Sequence, residues 1–119
     1  MSKTIYDQLG GFTTVRKVVV EFYNSVLEED ELAKYFANTN MERQIDHQTK
    51  FISQLLGGPV EYTDDHLEKI HAHMGITQKH FDMIKGILCD TLEDFDLEDE
   101  HVEFVGGEFE RRRGIIVSA

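Results

Sequence analysis

The sequence has few of the features that mark secreted, membrane-embedded and metal-cage proteins. It contains one cysteine, Cys89, which excludes an internal disulfide and a zinc site built from cysteines. No stretch approaches the roughly 18 to 20 uninterrupted apolar residues that span a bilayer, and none has the pattern of a signal peptide. We therefore expect a cytoplasmic protein that is not embedded in a membrane.

Basic residues are also scarce. Twelve lysines and arginines stand against 23 aspartates and glutamates, which gives a formal net charge of −11. Nucleic acid phosphates and anionic lipid repel so acidic a chain, so neither is an expected partner. The one basic run, Arg111-Arg112-Arg113, lies beside Glu108 and Glu110, and we interpret it as a solvated helix end rather than a binding patch.

Helical spacing of apolar residues dominates the 119 residues, and strand-like alternation is scarce. We therefore predict an all-α fold with a single domain, 1–119. Apolar side chains recur at three- and four-residue steps from Val15 to Val26, which predicts a long helix capped by Thr13 or Thr14. A short turn is expected around Leu32 to Phe36.

Capping and breaking residues divide the rest of the chain into further helices. Asn40 is predicted to cap a helix from Met41 to about Leu56, which Gly57-Gly58-Pro59 ends. Thr77 is predicted to cap a long helix that runs through Leu92. The remaining predictions are a short helix over His66 to His73 and a last helix from Asp99 through Ile116, weakened by Gly106-Gly107. The long helices are expected to pack in pairs.

Polar side chains occupy one stripe of the second long helix. Gln44, Gln48, Phe51 and Leu55 fall on that stripe, with His47 at its edge. Buried amides need hydrogen-bond partners, so such a face would enclose a polar ligand. Periodicity alone leaves the alternative open that Met41, Ile45, Ile52 and Leu56 face the core and that the glutamines are solvated.

Two further side chains could carry chemistry. Tyr23 lies on an apolar helix face, where its hydroxyl needs a partner, and His80 begins an apolar helix with Ile84, Ile87 and Thr91 on the same side. The plainer interpretations are a core tyrosine that reaches the surface and a satisfied core histidine. The rival metal set is His66, His71 and His73. No His-Glu-x-x-His pattern supports it, and His71 and His73 diverge on a helix.

These residues, in this order, resemble a group I truncated haemoglobin. The resemblance covers nearly the whole chain, and no single piece of it is specific, but the ordered set is. The matching stretches are Tyr6-Asp7-Gln8-Leu9-Gly10-Gly11, Phe22-Tyr23-Asn24-Ser25-Val26-Leu27, Phe36-Ala37-Asn38-Thr39-Asn40-Met41, His47-Gln48-Thr49-Lys50-Phe51, Gly57-Gly58 and His80-Phe81-Asp82.

The resemblance implies a two-over-two helical sandwich around haem b. His80 matches the proximal iron ligand, and Tyr23 matches the tyrosine that hydrogen-bonds bound O₂. His47 matches a position where some cyanobacterial members have a histidine that binds iron when no gas is present. A surface histidine near a haem propionate is its alternative. Gln44 and Gln48 match residues flanking the gas ligand, and the haem contacts are expected from Phe36, Gln44, Lys50, Phe51, Leu55 and Ile84.

The chain departs from the family pattern at three places. A basic residue that often pairs with a propionate is replaced by Asp65, so the pairing is expected from Lys50 or Lys79. The first of two paired aromatics is Tyr35. Some members have a C-terminal histidine that bonds to a haem vinyl. This chain has arginines near residue 111, so we expect the haem to be non-covalently bound.

The sequence therefore predicts a haem protein that binds O₂, NO and CO at one iron and handles O₂ or NO. Oxygen storage or transport, a haem-based gas sensor, and a NO dioxygenase or peroxidase-like enzyme that needs an external reductase all remain open. Rapid NO consumption by the oxygenated form, with re-reduction, would separate the enzyme from the binding protein. A haem-free acidic adaptor bundle is a further class, and a Soret band would exclude it.

Overall fold

The computed structural model describes residues 4–63, 69 and 74–117. Helices account for most of this part of the chain, which contains no strand, so the predicted all-α class is confirmed. The elements are α1 (Ile5–Leu9), α2 (Phe12–Glu28), α3 (Asp30–Ala33), a 3₁₀ turn (Lys34–Phe36), α4 (Met41–Leu55), α5 (Gln78–Asp94), α6 (Asp99–Glu110) and α7 (Arg113–Ile116).

Two of the predicted helix caps are present. The Asn40 side chain accepts a hydrogen bond from the backbone N–H of Arg43 at 3.2 Å and starts α4. The Thr77 hydroxyl accepts from the backbone N–H of His80 at 3.2 Å and starts α5. Each side chain satisfies a donor that the first helical turn leaves without an intrahelical partner.

The predicted start of α2 is wrong. Its N-cap is Gly11, and both Thr13 and Thr14 lie inside the helix. Gly11 has a φ of 79° and a ψ of −165°, a combination that glycine adopts far more readily than other residues. The chain can therefore turn sharply from α1 into α2 without a side-chain cap.

The last predicted helix is divided in the structure. Its first part, α6, ends at Glu110, and a turn at Arg111 and Arg112 leads into the second part, α7. The glycine pair does not end it, because α6 runs through both residues. Gly106 is buried, and a Cβ there would lie 3.4 Å from the Cys89 sulfur. Position 106 therefore faces α5, with room for a small side chain.

Four long helices form two packed pairs, as predicted. α2 packs on α4 and α5 packs on α6, with α2 also contacting α5 across the two layers. All four helices contribute buried hydrophobic residues to the core, and α2 contributes the most. Its fully buried members include Val15, Val18, Val19, Val26, Phe81, Leu88 and Leu92. The arrangement is the two-over-two sandwich.

The basic run is a solvated helix end only at Arg111, whose side chain is 73% exposed. Arg113 folds back onto α5: it donates to Gln78 Oε1 at 2.7 Å and to Asp82, and its guanidinium lies 4.4 Å from the centre of the Phe81 ring. It also holds the pKa of Glu110 down to about 2. The C-terminal turn is therefore tied to the first turns of α5.

The helix predicted over His66 to His73 lies outside the described residues, as do Asp65 and the three histidines of the rival zinc set. Within the part of the chain that the structure describes, every helix is too short or too polar to cross a membrane.

Candidate functional site

A cleft opens between the two helical layers. All four long helices contribute to it, together with the 3₁₀ turn, the segment before α5, and α7. The lining residues are Phe22, Tyr23, Val26, Phe36, Gln44, Gln48, Phe51, Met74, Ile76, Ile84, Phe109 and Ile116.

The polar groups of the cleft wall come from α2 and α4. Gln44 and Gln48 are only 8% and 7% exposed, so the alternative with solvated glutamines is wrong. Gln44 Nε2 donates to the Tyr23 hydroxyl at 3.1 Å. Because the phenol accepts this bond, its own O–H is left to donate to another acceptor. The wall thus carries a hydrogen-bond donor beside an otherwise apolar cleft.

Burial keeps the Tyr23 hydroxyl protonated. Removal from water disfavours the phenolate and raises the pKa of Tyr23 well above its usual value, and the hydrogen bond from Gln44 offsets only part of this. The Phe22 and Phe36 rings meet the tyrosine edge to face, with ring centres 5.0 and 5.5 Å away. They hold the ring in place and exclude water from it.

His80 is buried, with 6% of its surface exposed. Its Nδ1 lies 2.5 Å from the Tyr35 hydroxyl. Its Nε2 lies 3.7 Å from Glu31 Oε1, beyond hydrogen-bonding distance, and Lys79 Nζ contacts that same carboxylate oxygen at 3.0 Å. His80 is not among the residues that line the cleft, but Ile84, one helical turn later, is.

The structure brings six predicted site residues to the cleft and leaves four outside its lining. The lining includes Tyr23, Phe36, Gln44, Gln48, Phe51 and Ile84, as the sequence predicted. Leu55 is buried but packs elsewhere in the core. His47 is partly buried, and Lys50 is exposed. Lys79, one of the two expected propionate partners, is paired with Glu31.

Sequence reasoning missed half of the lining. Phe22 and Val26 lie on the same apolar face as Tyr23, and that periodicity could have identified them. Phe109 stacks on Phe81 with ring centres 4.9 Å apart and planes inclined by 16°, a contact that only the tertiary fold brings about. The others, Met74, Ile76 and Ile116, lie just before α5 or in the C-terminal turn, where no pattern marks them as cleft residues.

Comparison with known proteins agrees with this geometry. The model of the family described as bacterial-like globin matches residues 4–117. A group 1 truncated haemoglobin from Tetrahymena thermophila is 37% identical over 97 residues, which cover 82% of this chain and 80% of that one. The chain belongs to the bacterial-like globins and, within them, to the group 1 truncated haemoglobins.

Solved structures show the same fold. The Fe(III) form of truncated haemoglobin from Tetrahymena pyriformis aligns with a TM-score of 0.87 and 32% identity, over 98% of this chain and all of that one (100%). The 2/2 haemoglobin from Synechococcus, in the cyanomet state with covalently attached haem, aligns with a TM-score of 0.82 and 26% identity, over 96% and 98% of the two chains. Haem is the cofactor, and the protein is a haem-based gas-binding protein.

The residues present fit a haem group. Its flat apolar macrocycle suits a cleft lined mainly by aromatic and aliphatic side chains. A metal-binding histidine commonly uses one ring nitrogen for the metal and fixes the other by a hydrogen bond. His80 has one nitrogen at Tyr35 and the other 3.7 Å from Glu31 Oε1, and it lies outside the cleft lining, one helical turn before Ile84. The buried donor on Tyr23 lies on a different helix, α2, beside the cleft.

The buried Tyr23 hydroxyl makes the free energy of unfolding of the haem-free protein depend on pH in the alkaline range. An unfolded tyrosine loses its proton near pH 10, whereas the folded pKa of Tyr23 is raised. The folded state therefore keeps a proton that the unfolded state releases, and the free energy of unfolding must fall as the pH rises above about 10. Each such tyrosine contributes up to about 1.4 kcal/mol per pH unit. Tyr23→Phe should show a shallower fall in urea unfolding between about pH 9 and 11.

Tyr62 provides an internal comparison, because burial also raises its pKa, to about 12. Tyr62→Phe should remove a similar part of the alkaline slope. If the free energy of unfolding fell with pH as steeply in both variants as in the unaltered protein, the proposed effect of burial on these hydroxyls would be contradicted.

Proposed function

We propose that the protein binds O₂ at haem iron between His80 and Tyr23, and that it handles O₂ or NO in the cell. The single observation that carries the proposal is the buried Gln44–Tyr23 hydrogen bond, which leaves a protonated phenol as donor in a dry cleft. Haem iron, when bound, supplies the site at which a diatomic gas attaches.

The polar wall favours O₂ over less polar gases. O₂ acquires partial negative charge on binding, and a hydrogen bond to a charged group contributes about 1.5 to 3 kcal/mol. In a low-dielectric cleft such a bond is stronger than it would be in water. Tyr23 donates a hydrogen bond from its hydroxyl to this ligand, and Gln48, one turn after Gln44 on α4, provides a second donor. NO and CO are proposed as further ligands, with an external reductase as the source of electrons.

The pattern of variants solved for a relative supports the assignment. Structures of the Tetrahymena pyriformis protein include forms with a tyrosine replaced by phenylalanine and with either of two glutamines replaced by glutamate. That tyrosine and the first glutamine are separated by 21 residues, as Tyr23 and Gln44 are. The two glutamines follow each other at the helical spacing that Gln44 and Gln48 have.

His80 is proposed as the obligatory iron ligand. Replacing it by glycine should remove the nitrogen ligand and leave room for free imidazole. We expect His80→Gly to lose haem or to bind it loosely, and added imidazole to restore a haemoglobin-like Soret spectrum. The matched control is His101→Gly, since His101 lies on α6 outside the cleft lining. A normal deoxy ferrous spectrum in His80→Gly without imidazole would refute the assignment.

Tyr23 is proposed to slow the release of O₂ selectively. Loss of a hydrogen bond worth about 1.5 to 3 kcal/mol corresponds to roughly ten-fold or more in rate. Tyr23→Phe should speed O₂ dissociation by that factor and leave CO dissociation little changed, as measured by stopped-flow displacement. The substitution keeps the ring and its contacts with Phe22 and Phe36.

Gln48→Leu tests the second donor under the same conditions. We expect a smaller acceleration of O₂ release than in Tyr23→Phe, and again little effect on CO. Equal acceleration of both gases would indicate altered packing rather than a lost hydrogen bond. O₂ release unchanged in both variants would be incompatible with this account of the distal side.

His47 is proposed to bind the iron on the distal side when no gas is present. It is partly buried on α4, next to Gln48 and outside the cleft lining, so coordination requires its side chain to turn inward. The ferric protein should then have a low-spin absorption spectrum that His47→Ala converts to high-spin and His101→Ala leaves unchanged. A high-spin spectrum of the unaltered ferric protein at neutral pH would rule this out.

The haem is proposed to be held without a covalent bond. Near residue 111 the chain has arginines, and Arg113 of this basic run is engaged by α5. In this respect the protein would differ from the Synechococcus relative with covalently attached haem.

A further inference from the structure

The C-terminal turn α7 contributes one residue to the wall of the cleft. Ile116, the last residue of α7, is only 2% exposed and lines the cleft, as does Phe109 of α6. The backbone N–H of Ile116 donates to the carbonyl of Arg112 at 3.0 Å. A helix of a single turn is not stable by itself, because nucleation costs more than one turn returns. Contacts with the rest of the protein therefore hold Ile116 in the wall.

Arg113, the first residue of α7, makes such contacts with both α5 and α6. Its Nε and Nη2 donate to the two oxygens of the Glu110 carboxylate at 2.6 and 2.9 Å. Its Nη1 donates to Gln78 Oε1 at 2.7 Å, and Nη2 also donates to Asp82. A guanidinium holds its five N–H donors in a fixed planar fork, so these bonds restrict its orientation. One side chain thus joins α7 to the end of α6 and to the first turns of α5.

The same guanidinium lies against the aromatic core behind the cleft. Its central carbon is 4.4 Å from the centre of the Phe81 ring, a distance at which a cation is attracted to the face of an aromatic ring. Phe81 is fully buried and stacks on Phe109, which lines the cleft. Arg113 is therefore linked to the cleft wall by two routes, through the turn of α7 to Ile116 and through Phe81 to Phe109.

Arg111 of the same basic run is placed differently. Its side chain is 73% exposed, and its Nη1 contacts Glu108, three residues earlier in the chain. The Arg113 side chain is only 27% exposed. An exposed ion pair between neighbours in sequence contributes little to stability, whereas the contacts of Arg113 connect three helices. Arg111 is thus a matched reference for Arg113.

We propose that Arg113 is a positioning residue for the cofactor: it holds Ile116 in the cleft wall and thereby slows the loss of haem. A short terminal segment is a part of a fold that opens without global unfolding. When α7 opens, Ile116 leaves the wall, its contacts with haem are lost, and water enters the cleft. The inference rests on the proposed placement of haem in this cleft and does not depend on which side chain binds the iron.

The first test measures haem loss from the ferric haem-loaded protein to an excess of apomyoglobin. Arg113→Met keeps an unbranched side chain and removes the charge and all five donors. We expect haem loss to become about three- to ten-fold faster, as the loss of a partly exposed ion-pair network implies. Arg111→Met removes the same charge and the same donors from an exposed site, and it should leave the rate unchanged.

Two further variants separate positioning from a general loss of stability. Glu110→Gln weakens the same network from the side of its partner, and it should speed haem loss less than Arg113→Met does. Ile116→Ala should also speed haem loss. Because Arg113 acts in part through Ile116, the effects of Arg113→Met and Ile116→Ala should be less than additive in the double variant. Full additivity would contradict this mode of action.

The second test needs no haem. The amides of Ile115, Ile116 and Val117 donate to the carbonyls of Arg112 or Arg113, so their hydrogen exchange reports the opening of α7. Arg113→Met should speed exchange at these three amides and leave the amides of the α2 core unchanged. An equal rise in exchange throughout α2 would indicate global destabilisation and would overturn the proposal.

The proposal would also fail if haem loss were unchanged in both Arg113→Met and Glu110→Gln, or if Arg111→Met accelerated it equally. These results are distinct from a failure of the proposed gas site. If O₂ release were unchanged in Tyr23→Phe and Gln48→Leu, the account of the distal side would be wrong, and the rates of haem loss would still test Arg113.

Discussion

The hydrogen bond between Gln44 and Tyr23 is the contact on which the distal half of the site depends. Both groups are buried, and a buried polar group without a partner costs about 1 to 3 kcal/mol. By pairing at 3.1 Å the amide and the phenol satisfy each other and join α2 to α4. The direction of this hydrogen bond also determines what the cleft can bind. Gln44 is the donor, so the Tyr23 hydroxyl keeps its own proton for a second acceptor. A mainly apolar cleft with a few hydrogen-bond donors in its wall favours ligands that can accept.

His80, near the start of α5, is held in place by a different set of contacts. Thr77 fixes the backbone where α5 begins, and Tyr35 holds the side chain from the 3₁₀ turn. Arg113 donates hydrogen bonds to Gln78 and Asp82, which lie on α5 before and after His80. Three separate parts of the chain thus meet at the first turns of α5. His80, held by several partners, has little freedom to move, as the iron ligand that we propose it to be would require.

Most of the fold could be predicted from interactions between residues close in sequence. The features that depend on contacts between distant residues could not. Asn40 and Thr77 could be recognised as caps because their side chains act within three residues. The start at Gly11 was missed because a glycine cap leaves no side-chain signal. In the site, spacing alone could not decide whether Gln44 was buried, and the family resemblance favoured burial. The pairing of Lys79 with Glu31 joins residues 48 positions apart, which no local pattern predicts.

The cleft has a consequence beyond gas binding, because its walls are core residues. Phe22, Val26, Ile84 and Phe109 serve the sandwich and the cofactor site at once, so haem completes the packing of the two layers. A cofactor that binds only the folded chain adds stability that grows with the logarithm of its free concentration. Small changes in stability alter how much of a protein escapes cellular proteases. A chain whose core residues are also the walls of the cofactor cleft is therefore expected to unfold more readily without haem than with it.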